Sequence, residues 1–205
     1  CIVVKDSVKR QFVDAFELEY YLKRHACYPQ GDSMRIVDCH AIEQCLLKHE
    51  MVREAECYKS PLGKVHITIS QRIPVLAVVS SNGYYYVDSD RRVMPIRGEV
   101  DKNLPMLKGA VTERAAMAEY FDFVSWLRDD KYWKERIRAI HVKTSKYIVL
   151  TQEGSDAKII LGELEDYEDK LAKLRQLYTK GFDQIGYPEY REYALRFDNQ
   201  VVGRK

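Results

Sequence analysis

Two β-prone runs, Val75-Leu76-Ala77-Val78-Val79 and Tyr84-Tyr85-Tyr86-Val87, flank Ser80-Ser81-Asn82-Gly83. Asn-Gly between such runs is the strongest short-range hairpin signal, because the tightest turns need positive φ at their central residues. Pro74 stands just ahead of this hairpin and interrupts what comes before it. There Val65, Ile67 and Ile69 alternate with polar residues, the mark of a strand with one wet face. A proline between two β segments of different character predicts two domains, 1–73 and 74–205. The 205 residues allow one large domain or two small ones.

The first region reads as a compact repeat-free unit. Ile2 to Lys5 is a short strand, and Phe12, Phe16 and Tyr20 recur every four residues, predicting an amphipathic helix over about 11–24. Tyr28-Pro29-Gln30-Gly31-Asp32 breaks the pattern. Asp38 is placed to cap a second helix with Ile42, Cys45, Leu46 and His49 on one stripe. Strands at Val52–Lys59 and around Val65–Ile69 follow, joined through Ser60-Pro61-Leu62-Gly63. The order is β-α-α-β-β.

The second region is β-rich. After the hairpin, Arg91–Ile96 and Leu104–Lys108 read as strands. Thr112 and Glu113 open a helix with Met117, Phe121, Val124 and Leu127 on one face. Ile137–Val142, Lys146–Gln152 and Ala157–Leu161 form a meander with a turn at Gly154-Ser155-Asp156. Tyr167, Leu171, Leu174 and Leu177 make a second helical stripe, supported by Asp166 with Lys170 and Asp169 with Lys173. Tyr193–Val202 is a last β-prone segment after Gly186-Tyr187-Pro188.

Chemistry is sparse. The 33 Lys+Arg nearly cancel the 31 Asp+Glu, so a non-specific nucleic-acid binder is disfavoured. There is no phosphate loop, no dinucleotide fingerprint, no nucleophile elbow and no His-Glu-x-x-His. His25, His40, His49, His66 and His141 are scattered, and no catalytic, cofactor or metal residue is expected. Cys1, Cys27, Cys39, Cys45 and Cys57 all lie in the first third, at spacings that match no common zinc pattern. Their odd number argues against a complete disulfide framework. Cys45 is expected to pack as a small apolar residue, with His49 at the helix end. Tyr84, Tyr85 and Tyr86 alternate faces in a strand, so at least one belongs to the core. The longest apolar run, from Ile73 to Val79, is far short of the ~20 residues of a membrane helix. The abrupt start on Cys1 and Ile2-Val3-Val4 predicts a chain trimmed from a longer one, with its targeting or membrane segment upstream.

Several segments together carry a family likeness. Ile36-Val37-Asp38-Cys39-His40-Ala41-Ile42-Glu43 leads into Leu46-Leu47 and then Met51-Val52-Arg53-Glu54-Ala55-Glu56-Cys57-Tyr58. Gly63-Lys64-Val65-His66-Ile67-Thr68-Ile69-Ser70-Gln71-Arg72-Ile73-Pro74 follows, and then Tyr85-Tyr86-Val87-Asp88. With the terminal Leu195-Arg196-Phe197-Asp198-Asn199-Gln200-Val201-Val202, this resembles the FtsQ/DivIB family of bacterial cell-division proteins over essentially the whole chain. Two positions depart from the family pattern. Arg91-Arg92 stands where a glycine is common, and Ala194 where an acidic residue often precedes the Leu-Arg pair.

The resemblance implies an α+β chain: an N-terminal POTRA domain, then a mixed β-sheet domain with two helices packed on the sheet. It implies a bitopic protein of the inner membrane with this region on the extracytoplasmic side, in the periplasm. It implies a scaffold of the divisome without catalysis or cofactor, bound to FtsB/DivIC-like and FtsL-like partners. In the family a partner adds a strand beside the last strand of the β-domain. Carried onto this chain, the partner-binding residues are Tyr193, Ala194, Leu195, Arg196, Phe197, Asp198, Asn199, Gln200 and Val201. Other divisome proteins would meet the POTRA domain. The competing reading keeps the POTRA unit but places it in an outer-membrane assembly or secretion system.

Overall fold

The computed structural model describes residues 1–5, 11–81, 83–182, 190–197 and 200–205. The chain divides into two units, Cys1–Ile73 and Pro74–Lys205.

In the smaller unit β1 (Ile2–Val4), α1 (Ala15–Arg24), α2 (Cys39–Leu46), β2 (Val52–Lys59) and β3 (Val65–Gln71) follow one another. The sheet order is β1-β3-β2, with β1 parallel and β2 antiparallel to the central strand. Both helices start on an aspartate whose carboxylate fills an otherwise unpaired backbone donor. Asp14 accepts from the Glu17 N–H at 2.8 Å, and Asp38 from the Ala41 N–H at 3.1 Å. Leu18, Leu22, Ile42, Cys45 and Leu46 of the helices are buried, as are Ile67 and Ile69 of β3. Each large apolar side chain so buried contributes about 1.5–3 kcal/mol.

One stripe is not where the sequence predicts it. Phe16 is 83% exposed and Tyr20 63%, whereas Leu18 and Leu22 are fully buried. The two sets share the same spacing of four, so the period alone leaves the rotation of α1 open. His49 behaves as its position suggests: it is buried just beyond α2, with Nε2 3.4 Å from Glu17 and Nδ1 accepting from the Met51 N–H.

The larger unit is built on one mixed sheet. Its strands are β4 (Pro74–Ser80), β5 (Gly83–Asp88), β6 (Val93–Pro95), β7 (Met106–Gly109), β8 (Ile137–Thr144), β9 (Tyr147–Gln152), β10 (Ser155–Gly162), β11 (Glu192–Ala194) and β12 (Val202–Arg204). The order across the sheet is β12-β11-β10-β9-β8-β7-β4-β5-β6. The hairpin at β4–β5 brings Ser80 opposite Gly83, while Asn82 of its turn and Gly186-Tyr187-Pro188 lie outside the described residues. Gly109 ends β7 at φ +100, and a Cβ there would stand 2.3 Å from the Val142 carbonyl oxygen, so only glycine lets β7 close on β8.

Where two helices are expected on this sheet, the described residues hold three: α3 (Glu113–Met117), α4 (Glu119–Asp129) and α5 (Tyr167–Gln176), the last running into a π-turn over Leu177–Gly181. The single helix anticipated after Thr112 breaks at Ala118, whose φ −111 and ψ −106 are not helical. Phe121, Val124 and Leu127 pack into the core as expected, and Tyr120 and Phe123 widen the stripe. They meet Leu76, Val78, Leu107, Ile140, Leu150 and Ile159 from the sheet, with Leu171 and Leu174 of α5 and the fully enclosed Trp133. Lys170 donates to the Glu163 carbonyl at 3.0 Å rather than serving an ion pair along the helix.

The tyrosine run splits as alternation demands, with two rings inside. Tyr85 joins the helical-face core, Tyr86 is buried and its hydroxyl accepts from the Asp101 N–H, and Tyr84 points out at 68% exposure. Arg91, in the turn where the family resemblance leads one to expect glycine, sits at φ +59. That left-handed conformation suits glycine, and here it is held from both sides. The Asp88 carboxylate accepts from the Asp90 and Arg92 N–H groups, and the Arg91 guanidinium bonds Asp122 and lies 4.6 Å over the Phe121 ring.

Candidate functional site

The segment singled out for partner binding does not form one strand. Tyr193, Ala194 and Leu195 are all buried. Tyr193 and Leu195 belong to the main core, while Ala194 packs with Val149 and Ile160 in a separate cluster. A strand buried on both faces reads as an internal strand, and β11 is one: it is parallel to β10 and antiparallel to β12. Its backbone is therefore engaged on both sides. Leu195 continues the pairing by donating to the Ile160 carbonyl at 2.8 Å.

The edge lies at β12. Val202, Gly203 and Arg204 pair with Ala194, Tyr193 and Glu192, and among the described residues no strand flanks β12 on its other side. An edge strand presents a row of backbone donors and acceptors without ladder partners. The correction to the predicted edge is thus one of register. The chain passes from the internal strand through Arg196 and Phe197, both exposed, to Gln200 and Val201, and only then forms the edge. Asp198 and Asn199 lie outside the described residues.

Local packing fixes this edge. Gly203 lies directly under the Tyr190 ring, where a Cβ would approach Cε2 and Cζ to 2.9 Å. Tyr190 in turn meets Tyr193 edge-on at 5.7 Å, and Tyr193 meets Tyr178 at 5.3 Å. Burial pushes the Tyr178 hydroxyl well above the ordinary tyrosine range and raises that of Tyr193. Val201 packs against the main core and Val202 against the Val149–Ile160–Ala194 cluster. The Arg196 guanidinium lies 5.0 Å from the Phe197 ring centre.

Beside the edge runs a groove of about 420 Å³ lined by Lys173, Leu177, Lys180, Gly181, Gln200 and Val201. It offers a strip of backbone, an apolar floor and two ammonium groups. A second hollow, of about 550 Å³, includes Tyr132, Arg136, Gln152, Glu153 and Tyr178 in its lining. Its carboxylate among the described residues, Glu153, is paired with Arg138 at 2.8 Å. Among the described residues no group of three His, Cys, Asp or Glu side chains is placed to hold a metal ion, and no helix is long and apolar enough to cross a membrane.

Comparison with known proteins bears on both units. No curated protein matches the chain. A solved structure of the major extracytoplasmic domain of the cell-division protein DivIB from Geobacillus stearothermophilus is similar at 14% identity, with a TM-score of 0.38 over 54% of this chain and 95% of that one. Residues 1–70 match a POTRA-like domain model. Residues 73–204, well over half the chain, match the model described as FtsQ/DivIB, C-terminal related. The chain accordingly belongs to the FtsQ/DivIB family of cell-division proteins, with a POTRA-like region followed by the family's β-sheet region.

Proposed function

We propose that this chain is a non-enzymatic scaffold of the divisome that binds its partners by strand addition at β12. The observation that carries the reading is the free side of Val202–Arg204 at the end of the large sheet. Backbone pairing supplies affinity in such a complex, and side-chain pockets beside the strand supply specificity. The partners are FtsB/DivIC-like and FtsL-like proteins, and the protein is bitopic in the inner membrane, with this region on the extracytoplasmic side.

Within the proposed site the roles differ. Gln200 and Val201 lead the partner onto the edge. Arg196 and Phe197 contribute side-chain contacts, and Asp198 and Asn199 of the same proposed segment lie outside the described residues. Tyr193, Ala194 and Leu195 support β12 from inside the sheet. Lys180 of the adjoining groove favours a partner segment carrying a carboxylate next to its apolar residues.

Replacing Val202 by proline removes one backbone donor from β12, the strand that pairs with β11. Titration calorimetry with the extracytoplasmic region of the FtsB/DivIC-like partner should show at least tenfold weaker binding for Val202→Pro, with both units folded by circular dichroism. Unchanged affinity would rule out strand addition at β12.

A further inference from the structure

We propose that the smaller unit carries two disulfide bonds, Cys27–Cys45 and Cys39–Cys57, with Cys1 left as the odd thiol. The pairing follows from how α1, α2 and β2 pack. Cys27 leaves the end of α1, its N–H donating to the Leu22 carbonyl at 2.9 Å. Cys45 stands on the buried face of α2. The two helices meet through Tyr21, whose ring lies 4.7 Å edge-on from His49, one helical turn past Cys45. All five thiols are free in this structure, the Cys27 Sγ–H donating to the His25 carbonyl at 3.2 Å, and the Cys27 and Cys45 thiols lie near enough that both bear on Tyr21 and Cys27 bears on Cys45.

The second pair bridges α2 and β2. Cys39 and Glu43 are four apart on α2 and so share a face. The Glu43 carboxylate accepts from the Cys57 N–H at 2.7 Å, which brings that face onto β2 and sets the Cys39 thiol near enough to bear on that of Cys57. Burial first, and the thiol partner second, push Cys45 up to about 11 and Cys57 up to about 12. Cys45 and Cys57 thereby resist ionisation, and a thiol held neutral is a poor nucleophile or metal ligand.

Four cysteines allow three pairings, and this packing selects the crossed one, first with third and second with fourth. Each bridge forms by exchange with an external disulfide of the oxidoreductase or glutathione class. One thiolate attacks that disulfide and displaces one thiol. The second thiolate attacks the mixed disulfide and displaces the other. Two protein thiols become one S–S bond, and the donor disulfide takes up two electrons and two protons as two thiols. The inference rests on the extracytoplasmic placement only for its oxidising surroundings.

Its test is separate from partner binding. The chain is equilibrated with reduced and oxidised glutathione, alkylated in denaturant without reduction, and weighed intact. We expect a mass four hydrogens below that of the reduced chain before adducts are counted, with Cys1 alone alkylated or capped by glutathione. Trypsin leaves Cys39 and Cys45 on one peptide, 36–48, so the digest must also be cut after Glu43. Cys27 should then travel with Cys45, and Cys39 with Cys57. Five alkylated cysteines, or a Cys27–Cys39 or Cys45–Cys57 link, would overturn the assignment. In Cys45→Ser, Cys27 should become alkylated while Cys39–Cys57 stays closed. Should that variant not fold, the map of the unmodified chain still decides.

Discussion

The two units solve the same problem with different means. Among the described residues the larger lays three helices on a nine-stranded sheet and encloses Trp133, Phe123, Leu127 and Leu107 almost completely. The smaller has a three-stranded sheet and two short helices. All five cysteines fall in the smaller unit, and the larger has none. A small body hides a smaller fraction of its surface than a large one, so cross-links are worth most where the core is thinnest. The contrast teaches that the cysteines follow core size, not the edge strand proposed to receive a partner, which lies in the unit without them.

The largest effect expected from that contrast comes from opening the bridges. Each closes a loop of about 18 residues, and removing it costs about 3 kcal/mol through the entropy of the unfolded chain. Calorimetry with and without a phosphine reductant should therefore lower the transition of the smaller unit and leave that of the larger one in place. A shift confined to the larger unit would break the comparison, since no bond there can be reduced. The mirror experiment is Phe123→Ala, which leaves a cavity beneath α4 and costs about 3–5 kcal/mol. It should move only the transition of the larger unit.

How much of this was legible in the sequence differs from element to element. Alternation at Val65, Ile67 and Ile69 marked β3, and Asp38 marked the start of α2, because both signals are local. The hairpin runs flanking Asn82 are likewise strands, though the turn residue itself lies outside the described residues. Failures arose where packing decides among equivalent patterns. Phe16–Tyr20 and Leu18–Leu22 have the same period, and the rotation of α1 is set by what lies beneath it. The terminal β-prone run reads as one strand. That both phases of Tyr193–Leu195 are buried, so that the edge moves to Val202–Arg204, depends on a partner strand and core residues far away in sequence. The thiol pairs were hidden for the same reason: Cys27, Cys39, Cys45 and Cys57 come together only once α1, α2 and β2 are docked.

The rotation of α1 offers a smaller, sharper test within the cysteine-bearing unit. Leu18→Ala removes a fully buried side chain and should cost about 2–5 kcal/mol, read as a lower denaturation midpoint. Phe16→Ala, two residues away and more than four-fifths exposed, should change that midpoint by less than about 0.5 kcal/mol. Equal losses would return the helix to the rotation its aromatic stripe suggests.

The smallest effect concerns acid and the larger unit alone. His141 lies on β8 opposite Val149 of β9 and beside Lys108 of β7. Burial first, then the ammonium groups of Lys108 and Lys158, hold its imidazole below the ordinary histidine range. The unfolded chain regains a normal histidine near pH 6.5, so on acidification it takes up a proton before the folded chain does. Its contribution is therefore fully present above about pH 6.5 and is lost as the pH falls below that value toward the depressed folded one. Urea midpoints at pH 7.5 and pH 5 should show the larger unit weakening in acid, and His141→Gln should flatten that slope. An identical slope in the variant would mean that the imidazole is as well solvated in the folded sheet as in the open chain. The sheet would then be wetter on that side than its buried Val149, Ile160 and Ala194 indicate.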